Sequence, residues 1–332
     1  MAFDMTTFKK EIEAKAYEIF FDSLPAPDEP WRQFVKIDED TSRILVTTDS
    51  LAYVDELDEW NEGDPLNYTE PKQGYTIYGK LRFFRKGRKV SWHQRQITSV
   101  VDELLSQVKD WADAYVRTKN NLIRRMIEEG ALTAGSPVFD QSVAGIVDPS
   151  GNFIYDGKPF FANDLSGSGG TDNRHPLKYD PTQLFTNYAA LPLTYENLLT
   201  VYTNMKENKV DDYGRIITVR PDILLVPTAL EVTARQLVEA DFAPHDATTP
   251  SKPNPFKGVL KVVVWDELQH NDAWVLIDSR MGGIVVRENV EDIEMTVWID
   301  NETKELRCDF IAKFGAYVRN WRAFYGCNLP QA

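Results

Sequence analysis

Residues 97–129 run without a single proline or glycine, and Gly130 ends the run. Ile97, Val101, Leu104, Val108, Trp111, Tyr115, Leu122 and Met126 fall on one stripe, at steps of three, four or their sum. At about 1.5 Å per residue, a helix of that length is roughly 50 Å long, well above the globular mean. Such a rod either braces a broad subunit or enters a coiled coil. Thr118 stands where a coiled-coil seam takes an apolar residue, so the pattern predicts a brace. Trp111 and Tyr115 then belong to a core rather than to a cofactor site.

Elements of both kinds surround the rod without regular alternation, which predicts an α+β fold. Residues 6–21 read as an amphipathic helix, with Phe8, Ile12, Ala16, Ile19 and Phe20 near helical spacing. Pro25, Pro27 and Pro30 break it. This is the pattern of an arm, residues 1–50, with a hinge. A lone helix of this length is marginal, so its apolar face, Phe8 and Ile12 included, needs a surface on its own chain or on a neighbour.

Residues 51–74 are acidic and irregular. Residues 75–84 and 88–93 read as two strands of a ribbon turning at Arg85-Lys86-Gly87. The stretch 130–181 is rich in loop residues, and its 163–176 part is expected to be mobile. A helix is expected over 195–208 with Thr194 as its N-cap. Within 214–240, a run of apolar residues (Ile223 to Val226) between Pro221 and Pro227 reads as a strand covered on both faces. A helix follows it, with Leu230, Ala234, Leu237 and Val238 on one stripe. Further strands are expected at 259–265, 273–277, 284–286, 294–299, 307–310 and 316–321. Segments 294–300 and 304–314 straddle the turn Asn301-Glu302-Thr303 as a long hairpin.

A chain of 332 residues is enough for a sizeable core and two lobes. Its net charge of −14 opposes a protein that grips nucleic acid through a basic face, and suits one kept soluble at high concentration. Cys308 and Cys327 form no CxxC pair; two reduced core thiols are the favoured reading, with one disulfide as the alternative. His93, His175, His245 and His270 stand in no metal-binding spacing, and Gly167 to Gly170 lack the phosphate-loop frame. Asp211 and Asp212 beside Gly214 read either as paired carboxylates or, preferably, as a solvated turn. No catalytic, cofactor or metal residue is predicted, and no enzyme activity. The amino terminus lacks the order of a secretory signal and no apolar run reaches membrane-spanning length, so the chain is expected to stay in an aqueous, reducing compartment.

The pattern Pro221-x-x-Leu224-x-Val226-Pro227-x-x-Leu230-Glu231-x-x-Ala234-Arg235-x-Leu237 resembles the major head subunit of Mu-like phages and prophages. Tyr155-Asp156-Gly157-Lys158-Pro159-Phe160-Phe161, Asn254-Pro255-x-x-Gly258-Val259-Leu260-x-Val262, Trp274-x-Leu276-x-Asp278 and Phe314-Gly315-Ala316-x-Val318-x-Asn320-Trp321-Arg322 add to that resemblance. It spans most of residues 75–326 and is strongest after 150.

The resemblance implies a Hong Kong 97-type capsid fold with an N-terminal arm (1–50) and an extended β-ribbon loop (51–95) that lies over the neighbouring subunit. It implies a peripheral domain (96–184 and 286–315) built on a spine helix at 97–129, and an axial domain (185–285 and 316–332). The function it implies is a virion capsid protein that self-assembles, as pentamers and hexamers, into an icosahedral head around double-stranded DNA without sequence-specific binding. It implies assembly in the bacterial host cytoplasm, with a separate scaffolding protein, a portal and, as an option, a decoration protein as partners, and no cofactor and no membrane. An encapsulin-like compartment and, at the enzyme end, a soluble hydrolase using Asp211 are the alternatives.

Lys80, Arg82, Arg85, Lys86, Arg88 and Lys89 are interleaved with aromatic residues. That pattern reads either as a nucleic-acid stacking platform or as the partner of an acidic surface on a neighbour. The second is favoured because the whole chain is acidic, and the chain supplies acidic ground at Glu56, Asp58 and Glu59 and around Glu288, Glu291, Asp292 and Glu294.

Overall fold

The computed structural model describes residues 5–24, 29–50, 73–91, 93, 100–142, 151–208, 210–242, 253–300 and 302–331. In chain order, α1 (Met5–Ser23) precedes β1 (Val35–Asp38), β2 (Leu45–Asp49), β3 (Thr76–Lys80) and β4 (Arg82–Val90), then the long α2 (Val100–Glu128). Short strands β5 (His175–Pro176), β6 (Leu184–Phe185) and β7 (Tyr188–Ala189) lead to α3 (Tyr195–Glu207), β8 (Ile223–Val226) and α4 (Glu231–Glu239). β9 (Lys261–Val264), β10 (Trp274–Ile277), β11 (Ile284–Glu288), β12 (Glu294–Ile299), β13 (Leu306–Val318) and β14 (Phe324–Cys327) follow.

The rod is α2, 29 residues long. Val108, Trp111, Tyr115, Leu122 and Met126 of the predicted stripe are buried, as are Ala112, Ile123 and Ile127 beside them. They pack on a sheet and on α1: Trp111 lies against Phe310, and Tyr115 meets the edges of Phe314 and of Phe20 in α1. The rod is therefore a brace. Ile97 and the side chains of Val101 and Leu104 lie outside the described residues.

That sheet is organised on β13. β12 and β11 pair antiparallel along one of its edges, β4 along the other, and β1 runs parallel to β11. The predicted hairpin of β12 and β13 is present, and β13 is one strand where two were expected. α1 closes the outer edge of β12. The Met295 and Val297 backbone N–H groups donate to the Tyr17 hydroxyl (2.8 Å) and the Glu13 carboxylate (3.1 Å). Capping an edge in this way removes a template for unwanted strand pairing. α1 thus finds its surface on its own chain, where Phe20 is fully buried against Tyr115 and Phe310. Trp31 and Phe34 join the same core, with the Trp31 indole N–H bonded to Asn120 (2.8 Å).

A second sheet, ordered β7-β14-β10-β8-β9, divides two cores. Strand alternation sends Ile223, Leu225, Val275, Ile277 and Phe324 to the main core. Leu224, Val226, Trp274, Leu276, Tyr325 and Cys327 face α3 and α4. All four residues of β8 are buried, as its continuous apolar run predicts. The Thr194 side chain caps α3 as expected, accepting from the Asn197 N–H.

The predicted ribbon is corrected. β4 runs as one strand of nine residues straight through Arg85-Lys86-Gly87 and pairs with β13 from Val90↔Leu306 to Arg82↔Phe314. Phe84 stacks on Phe314 at 4.2 Å, and a Cβ on Gly87 would meet the Asp309 carboxylate at 2.7 Å. Gly87 thus serves a close approach rather than a turn. The two-stranded ribbon is instead β2 with β3, in register from Leu45↔Lys80 to Asp49↔Thr76. Residues 51–72, which join them, lie outside the described residues.

Candidate assembly surfaces

The six cations of 80–89, Lys80 in β3 and the other five in β4, divide by what they touch. Arg82 turns inward and donates to the carbonyls of Pro137, Val138 and Asp140, while Lys80 pairs with Asp140 at 3.5 Å. These two fasten the strand to the loop after α2. Lys89 is exposed and pairs with Glu305 (3.2 Å). Arg85, Lys86 and Arg88 are exposed and make no ion pair among the described residues. Beside them Phe83 is 59% exposed and Ile311, on the same face of β13, 37%. Alternation along β4 puts Phe83, Arg85 and Lys89 on one face, with Ile311 beside Arg85, and Lys86 and Arg88 on the other, so exposed cations flank both faces of this edge of the sheet.

The acidic ground is distributed differently from expectation. Glu56, Asp58 and Glu59 fall outside the described residues, as do the side chains of Phe8 and Ile12. Glu288 is buried: its carboxylate takes Lys119 (2.8 Å) and Arg32 (2.7 Å), and Glu29 completes this quartet with Arg32 at 2.5 Å. Buried charges persist only when paired in this way, so Glu288 is not open ground for a neighbour's cations. Asp292 binds Thr41 and Lys313, with the Thr41 hydrogen bond foremost in holding its carboxyl below the ordinary range. Glu291 and Asp38 do line an open cleft of about 650 Å³ next to Arg32 and Glu39.

Asp211 and Asp212 are not a solvated turn. Both are fully buried. Asp211 does shape a turn, its carboxylate accepting the N–H groups of Tyr213 (2.9 Å) and Arg215 (2.8 Å) ahead of left-handed Gly214. Asp212 pairs with Arg322 (3.0 Å), both side chains 1% exposed, and accepts the Ser50 hydroxyl. The Arg322 guanidinium lies over Trp321 at 4.4 Å, and Trp321 stacks on His175 at 4.2 Å. His175 is bonded in turn to Asp156 (2.6 Å) and to Asn187 (3.2 Å). Carboxylates committed to buried cations and backbone amides are structural ties, not a pair facing substrate.

A family of proteins described as phage capsid protein matches residues 83–326. The chain belongs to the phage capsid protein family. Its architecture is the Hong Kong 97-type capsid fold, and it is similar to a chain of Mycobacterium phage Patience (11% identity, TM-score 0.50, covering 99% of this chain and 89% of that one). It is equally similar to a chain in the capsid of an empty GTA particle (14% identity, TM-score 0.50, 90% and 89%). A chain of the virus-like particle from Pyrococcus furiosus aligns over 95% and 98% at 10% identity and a TM-score of 0.46. No curated protein matches.

For a shell subunit, the surfaces that matter are those that meet other copies. Besides the β4 face, the lobe carrying α3 and α4 exposes Leu199, Ile216 and Val259 along an open groove of about 920 Å³, with Lys206, Arg220 and Arg280 at its rim. The sequence reading missed this groove, as well as β14 and the role of Arg322. Ile216 stands directly before the apolar Ile217 and Val219, and its apolar character alone does not mark it as 80% exposed. Among the described residues, no helix is long and apolar enough to cross a membrane, and no cluster of metal-ligating side chains occurs.

Proposed function

We propose that this chain is the major head subunit of a Mu-like phage or prophage, assembled in the bacterial host cytoplasm with a separate scaffolding protein, a portal and optionally a decoration protein. The observation that carries the reading is the phage capsid family match over 83–326 on a Hong Kong 97-type architecture. In this reading the sheet on β13 with α2 is the peripheral domain, and the sheet of β7 to β14 with α3 and α4 is the axial domain.

The mechanism is multivalent association. Each contact between copies is weak, and closure of rings of five and six makes later contacts effectively intramolecular. The exposed cations of β4 (Arg85, Lys86, Arg88, Lys89) meet acidic residues of a neighbouring copy, Glu56, Asp58 and Glu59 among them. The supporting observations are a row of exposed cations along β4 on an acidic chain and an acidic segment joining β2 to β3. Complementary charge of this kind sets register in a repeating lattice. Arg82 and Lys80 serve their own subunit, and Phe8 and Ile12 of the amino-terminal arm are contact residues toward a neighbouring copy.

The test is charge reversal. Arg85→Glu with Lys86→Glu and Arg88→Glu alters three exposed side chains, so the melting temperature is expected to hold within about 2 °C. Particle yield by negative-stain microscopy is expected to fall at least tenfold, on the order of 1.4 kcal/mol per weakened contact set. Normal shells from the triple variant would exclude β4 as a contact between copies.

A further inference from the structure

The buried Asp212–Arg322 pair lies beside the end of the β2–β3 hairpin from which residues 51–72 depart. Ser50, directly after β2, is 3% exposed. Its hydroxyl donates to Asp212, and the same oxygen accepts the Tyr75 N–H (2.7 Å) from the opposite strand. The Ser50 N–H donates to the Tyr75 carbonyl (2.7 Å). Lys178 donates to the Gly74 carbonyl, and the Tyr179 hydroxyl donates to that of Gln73 (3.0 Å). Every one of these anchors comes from the layer carrying residues 178–212 and 322, and none from the sheet on β13. The opposite end of the hairpin is held separately, by Arg287 donating to the carbonyls of Gly79 (2.8 Å), Asp40 (2.6 Å) and Arg43 (2.9 Å).

The anchor is stiff on its far side as well. Arg322 is sandwiched between Asp212 and the face of Trp321, Trp321 is stacked on His175, and His175 is bonded to Asp156 and Asn187. Asn187 donates to the Phe160 carbonyl (2.9 Å) and accepts the Ala162 N–H (2.7 Å). A chain of buried polar contacts therefore runs from the hairpin end to the backbone beside the second sheet. Buried contacts of this kind order the side chains that make them, although the Arg322 Nε finds no hydrogen-bond partner among the described residues.

We propose that Asp212 and Arg322 form a latch that fixes the hairpin end through Ser50 and so sets where residues 51–72 leave the subunit, independently of the folding of either core. Resting on the shell reading, the latch sets the point from which the acidic segment reaches a neighbouring copy.

Hydrogen exchange on the purified, unassembled chain tests the latch without reference to assembly. Ser50→Ala removes the hydroxyl and leaves the buried ion pair whole. Amides of 47–50 and 73–77 are expected to exchange at least about tenfold faster, with α2 and β8 to β10 unchanged. Unchanged protection at 47–50 and 73–77 overturns the latch. Asp212→Asn combined with Arg322→Met removes both charges together, so no lone charge is left buried. The same local loss is expected; a loss spread equally through α2 and β8 shows a general core role and overturns the proposal. Particle uniformity is scored separately in the Ser50→Ala variant. Faster local exchange together with wild-type shells sustains the latch and removes its consequence for assembly, whereas chains that never form shells, wild type included, defeat the shell reading alone.

Discussion

Gly315 shows how closely single atoms limit this fold. It sits in β13 where the β3–β4 corner crosses, and a Cβ there would land on the Lys80 carbonyl oxygen, which is backbone and cannot step aside. Gly315→Ala is predicted to cost about 2–3 kcal/mol, read as a lower urea midpoint at unchanged slope. Burial pushes the Cys308 thiol up to about 11 and Cys327 well above its ordinary value, and the two thiols are free. Neither is expected to be alkylated by iodoacetamide at about pH 8 in the folded chain, and both in urea, because the thiolate is the nucleophile; intact mass settles it, and labelling of the native chain would contradict the burial. Glu129 gives a pH dependence. Burial raises its carboxyl, but the hydrogen bonds from Arg125 and Ser136 outweigh burial and hold it below the usual value. A lowered folded value means its stabilisation is complete above the unfolded carboxylate range and fades as pH falls toward the folded value. The gap in melting temperature between wild type and Glu129→Gln is therefore expected to be wider at about pH 7 than at about pH 3.

At the scale of elements, what was legible in the sequence depended on how local the cause was. The rod, the Thr194-capped helix, the buried β8 and the β12–β13 hairpin all follow from periodicity or turns within a few dozen residues. β4 did not, because its partner β13 lies more than 200 residues away and Arg-Lys-Gly is also good turn chemistry. The turn at Asp211 and Asp212 is legible locally but its burial is not, since the cation paired with Asp212 is Arg322, 110 residues on. β14 escaped because four residues, Phe324 to Cys327, are too few to show a period. α1 was legible as a helix, but its seat on β12 was not. Phe20→Ala should cost about 3–5 kcal/mol in urea unfolding, the scale of a fully buried aromatic truncation. A loss near zero would mean that α1 is seated elsewhere.

At the scale of the whole molecule, a partitioning sheet separates two cores, a long helix braces the larger one, and the exposed cations of β4 stand on a chain of net charge −14. Each core satisfies itself within one chain, which leaves charge and exposed apolar groups at the margins for contacts between copies. The most direct test is cryo-electron microscopy of particles purified after co-expression of the chain with its scaffolding protein. The account predicts closed icosahedral shells with rings of five and six, in which Arg85, Lys86 and Arg88 face acidic side chains of the adjacent copy. Shells in which those three side chains point into open solvent, with the acidic segment 51–72 bound to its own subunit, would contradict it.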